Sequence, residues 1–247
     1  PRMPEIPDLV KWAAGWRPHQ VHIIRVRFVL LMVGFALLML VLISRSKVLG
    51  IGGFGVLGLF ILVRLVMDYT EVRSRRMMKE ERRAIRGARA EERIGSILDS
   101  LGEDYFVLHD ITSPYGNIDH IVITRQGGIF LIETKAHGGR VSVANGQLLV
   151  NGHEPEKDFI AQALKNLYWL RGIIQAVVNV EPWITPIVVF TNAFVERTTP
   201  IKGVRIINKK YLLDALQQPN TRMQNLVAWE NREKIREACF GARVDSV

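Results

Sequence analysis

Two uncharged apolar runs stand close together near the start of the chain and restrict its fold more than any other feature. Residues 28–43 read FVLLMVGFALLMLVLI, and residues 48–63 read VLGIGGFGVLGLFILV. Helices that are apolar on all sides need lipid, or a much larger protein, around them. A hairpin buried in the core of a soluble domain is the alternative interpretation. We therefore predict a two-helix transmembrane hairpin within residues 21–67, preceded by an N-terminal cytoplasmic segment at residues 1–20.

Positive charge is concentrated around these apolar runs. The net charge is +9, and residues 1–79 contain 12 Lys and Arg against 4 Asp and Glu. Because cytoplasmic flanks of membrane helices are rich in Lys and Arg, we expect a multi-pass protein of the cytoplasmic (inner) membrane. Both termini and the soluble domain should lie on the cytoplasmic side. The basic flanks also predict contact with membrane lipid, and they argue only weakly for nucleic acid.

The rest of the chain has the pattern of an α/β domain. Residues 68–86 are predicted to form a charged helical linker, and Ile94, Leu98 and Leu101 continue it at helical spacing. Strands are expected at 105–111, 118–124, 129–135, 140–143, 147–150, 187–191 and 204–207, and helices at 155–178, 209–216 and 223–240. This order predicts a mixed sheet flanked by helices. The single cysteine, Cys239, excludes an internal disulfide.

The most informative window is residues 116–140. Asp119 stands near the beginning of one predicted strand, and the next strand ends in Glu133, Thr134 and Lys135. Residues two apart on a strand share a face, so Glu133 and Lys135 should point the same way. The glycine turn between the strands places Asp119 opposite Glu133 or one step away. His120 should then point to the other face and pack there.

Two facing carboxylates and an ammonium suggest a metal-dependent site. Like charges opposite each other are unfavourable unless a cation stands between them. Mg²⁺ (or Mn²⁺) is the oxygen-seeking ion expected there, with waters and phosphate oxygens as its other ligands. Lys135 beside such a metal is suited to orient or deprotonate the attacking water and to offset charge on phosphorus. The alternative is that Glu133 and Lys135 are a solvated strand end and Asp119 a turn residue.

At these residues the sequence resembles a known family. The segments Ile118-Asp119-His120-Ile121-Val122 and Gly128-Ile129-Phe130-Leu131-Ile132-Glu133-Thr134-Lys135, followed by two glycines, resemble the NERD (nuclease-related) domain. That domain belongs to the PD-(D/E)xK, restriction-endonuclease-like superfamily. The resemblance implies such a fold over residues 87–195, with residues 196–247 completing the domain. It also implies that Asp119 and Glu133 bind metal and that Lys135 is catalytic.

The resemblance implies two further site residues. An acid on the preceding helix should complete the metal site, and Glu91 matches it best, although Glu92 stays open because Ala90 replaces the usual glycine. A glutamine on the helix after the sheet should face the site, and Gln162 fits by position, without the Asn-Pro often found upstream. The implied function is a membrane-anchored, Mg²⁺-dependent nuclease acting on nucleic acid, DNA in preference to RNA. The alternative is a non-catalytic, membrane-tethered binding or scaffold module with a nuclease-like fold.

Overall fold

The computed structural model describes residues 49–197, 199–217 and 225–241, together with Gly34. The chain divides between Met78 and Lys79 into two units, which are described separately. The first predicted apolar run, residues 28–43, lies outside the described residues except for Gly34. Within the described part of the chain, no helix is both long enough and apolar enough to cross a membrane. The transmembrane hairpin therefore stays a prediction.

Helix α1, Leu49–Asp99, contains the whole of the predicted charged linker. Its last turns in the second unit bury Ala90, Ile94 and Leu98, which recur every four residues and so lie on one side of the helix. The helical spacing read from the sequence is confirmed for Ile94 and Leu98, whereas Leu101 lies beyond the end of the helix at Asp99.

A six-stranded mixed sheet forms the centre of the second unit. Its strands are β1 (Tyr105–Ser113), β2 (Gly116–Thr124), β3 (Ile129–Ala144), β4 (Gln147–Val150), β5 (Thr185–Val195) and β6 (Arg205–Asn208). The strand order is β1-β2-β3-β5-β6, and β4 pairs with β3. The β3–β5 and β5–β6 pairs are parallel, and the other pairs are antiparallel. The predicted mixed sheet is confirmed.

Helices cover both faces of this sheet. They are α2 (Phe159–Val178), α3 (Leu212–Gln217), α4 (Leu226–Glu230) and α5 (Arg232–Gly241), with a 3₁₀ turn at Lys209–Tyr211. On one face, α2, α4 and α5 pack on side chains that include Ile121 and Leu131. On the other face, α1 and α3 pack on Val122 and Phe130. Side chains of consecutive strand residues thus pack into two separate cores, because they point alternately to opposite faces of the sheet.

Three sequence-based boundaries were wrong for identifiable reasons. The strands predicted at 129–135 and 140–143 are one strand, β3, which continues through an irregularity between Lys135 and Gly138. The helix predicted to open at Pro155 begins at Phe159, because the Asp158 side chain caps it by accepting from the N–H groups of Ile160 and Ala161. The predicted closing helices are shorter: 209–216 begins with a 3₁₀ turn, and α4 and α5 replace the single helix at 223–240.

Candidate active site

The β2–β3 hairpin brings Asp119 and Glu133 to the same part of the sheet. The strands pair antiparallel with His120 opposite Ile132, and this register, continued by one residue, sets Asp119 opposite Glu133. The turn is closed by the Thr124 N–H donating to the Gly128 carbonyl at 2.8 Å. The backbone N–H of Thr134 donates to Asp119 Oδ2 at 2.5 Å. Asp119 is therefore held against β3 by a backbone group rather than by a cationic side chain.

Lys135 lies in a cluster of polar and aromatic groups. Its Nζ is 2.7 Å from Glu133 Oε1 and donates to Gln162 Oε1 at 3.4 Å. The same Nζ stands 4.8 Å from the centre of the Phe159 ring, within cation–π distance. The Lys135 side chain is 14% exposed and that of Glu133 is 3% exposed. A buried ion pair of this kind is an expensive arrangement for stability alone, because both charges lose their water.

The first turn of α2 supplies two of these contacts. Phe159 and Gln162 are three residues apart and so lie on the same side of the helix. The Asp158 cap fixes where the helix begins and hence which side meets Lys135. The family resemblance implied Gln162 at this site, whereas Phe159 was not predicted there. The i, i+3 spacing puts both residues on one side of α2, but it does not show which strand that side meets.

The two carboxyl groups are strongly perturbed. The pKa of Asp119 is raised to about 8, by burial first and then by the charge of Glu133, against the lowering effect of the Thr134 N–H. Burial also raises the pKa of Glu133, against the lowering effect of Lys135. Desolvation and like-charge repulsion act in the same direction on both acids. The site as folded is therefore short of positive charge, despite the lysine.

Glu91 lies farther from this cluster. Its charge raises the pKa of both Asp119 and Glu133, so it stands within electrostatic reach of both. Of the two acids left open by the sequence, Glu91 rather than Glu92 is the one that acts on the pair in this way. Among the described residues, no three His, Cys, Asp or Glu side chains come close enough together to hold a metal ion. The cluster itself thus offers two carboxylates, with Glu91 outside direct contact.

These residues fit a hard divalent cation. Glu133 Oε2 is buried and has no hydrogen-bond partner within the part of the chain that the structure describes. A buried carboxylate oxygen without a partner, beside a second buried carboxyl, is an arrangement that a cation stabilises. Mg²⁺ suits a site with only one or two protein carboxylates, because it keeps several waters.

Immediately after Lys135, the pairing of β3 with β5 becomes irregular. Lys135 pairs with Phe190 and Gly138 with Asn192, so β3 has one residue more than β5 over this interval. His137, one of the residues in this interval, packs against the rings of Phe159 and Phe190. Gly139 follows with φ +90, where a Cβ would lie 1.9 Å from Asn151 Oδ1. Only glycine fits that position, which gives the second glycine of the motif a steric reason.

On the opposite face of β2, His120 packs as the sequence predicted. It is buried, its Nδ1 is 2.8 Å from Nδ1 of His109, and His109 Nε2 is 2.9 Å from Asp99 Oδ1. The pKa of His120 is lowered to about 4, by burial first and then by the charge of His109. His120 is therefore neutral at neutral pH and is separated from the carboxylates by the sheet.

The fold and the site together define a mixed-sheet α/β domain with paired acids and a lysine beside a strand irregularity. Residues 86–191 match the family model of NERD, the nuclease-related domain. This match covers β1 to most of β5 and includes every residue of the cluster described above. No significant match was found among curated proteins. None was found among solved structures either.

Proposed function

We propose that the second unit is a Mg²⁺-dependent nuclease that hydrolyses phosphodiester bonds of nucleic acid, DNA in preference to RNA. The observation that carries this proposal is the contact of Lys135 with Glu133 and Gln162 beside Asp119, inside the segment that matches the nuclease-related domain. The family match supports a nuclease-related function. Hydrolysis, the metal and the preference for DNA are the proposal.

Asp119 and Glu133 are the residues that would hold the metal, and Glu91 would join them through water or after a small movement. Mn²⁺ is an alternative to Mg²⁺. When bound, the ion lowers the pKa of a coordinated water and neutralises charge on the phosphate. The unpartnered Oε2 of Glu133 is the protein atom most in need of such a partner.

Lys135 would act on the phosphate group. Its Nζ is held between Glu133 Oε1 and Gln162 Oε1, so its position is fixed before substrate arrives. A fixed ammonium stabilises negative charge that develops on phosphoryl oxygens, and it can also orient the attacking water. Gln162 is a positioning residue in this account, since it acts through Lys135. Phe159 shields the other side of the ammonium from solvent.

We propose that this activity lies at the cytoplasmic face of the inner membrane. The hairpin at residues 21–67 would anchor the chain there, with both termini cytoplasmic. Its support is the apolar character of residues 28–43 and 48–63 and the basic flanks around them. The competing proposal is a non-catalytic scaffold module. The two proposals differ in what they require of Lys135, because a scaffold has no catalytic step in which Lys135 takes part.

The test compares Lys135→Ala with the wild-type chain in mild detergent. We expect metal and nucleic-acid binding to persist and cleavage to fall by at least ~10², the scale of losing one preorganised charge near a transition state. Lys234→Ala, an exposed lysine of α5, is the matched control and should cleave normally. Glu133→Gln should abolish Mn²⁺ binding measured by electron paramagnetic resonance. Full activity of Lys135→Ala would refute the mechanism, and a wild type inactive on DNA and RNA would favour the scaffold.

A further inference from the structure

The second unit begins with a strongly basic side of α1. Six exposed residues form it, and we call them the basic ridge: Lys79, Arg82, Arg83, Arg86, Arg89 and Arg93. Steps of three and four residues connect most of them, so they lie within about 120° of the helix circumference. The acids of the same stretch fall on the other side: Glu80, Glu81, Glu91 and Glu92. The ridge is about 21 Å long at the usual helical rise.

The basic ridge leads directly to the candidate active site. Ala90, which packs on the domain, is seven residues after Arg83 and four after Arg86, so all three share one side of the helix. Arg83 Nη1 is 3.7 Å from Glu156 Oε2. Burial lowers the pKa of His137 most, and the charges of Lys135, Arg83 and Arg86 lower it further, in that order. Because His137 packs on Phe159, under Lys135, these arginines lie beside the proposed catalytic cluster.

The ridge supplies a charge that the rest of this unit does not. Outside the ridge, the second unit (residues 79–247) contains 16 Lys and Arg against 20 Asp and Glu. Near β6, basic and acidic side chains are mixed. Arg205 donates to the Ala215 carbonyl and lines a cleft that also contains Glu196 and Asp214. A polyanion that approaches the acidic site therefore meets the concentrated positive charge of this unit on α1.

We propose that the basic ridge binds the phosphate backbone of nucleic acid and guides one strand to the Lys135 cluster. This inference rests on the proposed nuclease function and names the surface that such a function requires. A ridge of about 21 Å matches roughly six phosphates of one strand at ~3.4 Å per nucleotide along B-form DNA. Arg83 and Arg86 face the domain rather than away from it, which suits a strand beside the site better than a flat bilayer surface.

The experiment measures binding of a fluorescein-labelled DNA, in single- and double-stranded form, to the full chain in neutral detergent. EDTA is present, so cleavage does not interfere. Arg86→Gln/Arg89→Gln should weaken binding at least about tenfold near 0.1 M salt. The salt slope should fall by roughly 1.4 to 1.8, because each phosphate contact contributes about 0.7 to 0.9.

Two controls make the result specific. Lys234→Gln/Arg236→Gln removes the same charge from α5, whose Ile235 and Cys239 pack in the core beside β1, and should bind nearly as the wild type does. Arg86→Lys/Arg89→Lys keeps the charge and should restore most of the affinity. Equal losses of DNA affinity in the two Gln double variants would refute the proposed role of the basic ridge. The same conclusion would follow if Arg86→Lys/Arg89→Lys did not restore the affinity.

The lipid explanation has its own arm, with phosphatidylglycerol vesicles in place of DNA. If Arg86→Gln/Arg89→Gln weakens vesicle binding and leaves DNA binding intact, the ridge is a lipid surface and the proposal is wrong. If the wild type binds neither DNA nor RNA, the proposed role of the basic ridge and the proposed nuclease function are both wrong. If the wild type cleaves DNA and Arg86→Gln/Arg89→Gln binds and cleaves it normally, the proposed role of the basic ridge is wrong and the nuclease function stands.

Discussion

Replacing Asp119 by asparagine should stabilise the metal-free protein, and the gain should grow with pH. The pKa of Asp119 is raised from 3.8 to about 8 by burial and by Glu133. Between these pH values the folded state holds a proton that the unfolded state releases. The contribution of Asp119 to stability therefore falls as pH rises through this window, by about 1.4 kcal/mol per unit. Asparagine carries no such proton, and its side-chain oxygen can still accept from the Thr134 N–H.

The size of the effect follows from the same numbers. At pH 7 the Asp119→Asn variant should be more stable than the wild type by up to about 4 kcal/mol, and at pH 5 by less than about 2 kcal/mol. For a domain of this size the gap in Tm should widen by roughly 5 to 10 °C between these pH values.

Thermal unfolding in EDTA, followed by circular dichroism at pH 5, 6 and 7, measures this gap. Asp104→Asn is the control, because Asp104 is exposed and pairs with Arg125 at the surface, and it should show a constant gap. Excess Mg²⁺ should favour the wild type and narrow the difference, since only the wild type keeps both ligands. A gap that does not change with pH, or an unstable variant at pH 7, would refute the account of Asp119 as a repelled, buried acid.

Three further outcomes are expected. His120→Leu should gain stability relative to the wild type as pH falls from 7 to 5, by up to about 2 kcal/mol, because folded His120 takes a proton only near pH 4; a pH-independent difference in urea unfolding would contradict this. Lys135→Arg should restore little of the cleavage lost in Lys135→Ala, since a guanidinium is planar and reaches farther; kcat near the wild-type value would show that charge alone is needed. A reporter fused after Lys47 should be exported and one fused at Val247 should stay cytoplasmic, by the distribution of basic residues; cytoplasmic labelling at Lys47 would end the hairpin model.

Local patterns predicted the parts of the site that lie on one hairpin. The spacing of Glu133 and Lys135, the acid on the neighbouring strand and the glycine turn are all short-range features, and they were enough to place Asp119 beside Glu133. The turn between the strands predicted at 140–143 and 147–150 was equally readable, because Asn-Gly favours a tight hairpin turn with positive φ, and Asn145 and Gly146 both adopt positive φ.

Contacts between distant elements were not readable in the same way. Phe159 meets Lys135 only because α2 crosses β3, and no local pattern encodes that crossing. The irregularity after Lys135 depends on pairing with β5, about fifty residues later in the chain, so one strand was divided into two. The start of α2 was misplaced because a Pro is a common first helical residue, whereas the Asp158 cap outweighs Pro155 here.

Asp119 and His120 are consecutive residues, yet their side chains lie on opposite faces of β2 and their pKa values move in opposite directions. Between about pH 4 and 6.5 the folded chain holds one proton more at Asp119 and one fewer at His120 than the unfolded chain does. The two contributions to the pH dependence of stability cancel in that window. A flat profile for the wild type would thus conceal two large and opposed effects, which only the single variants separate.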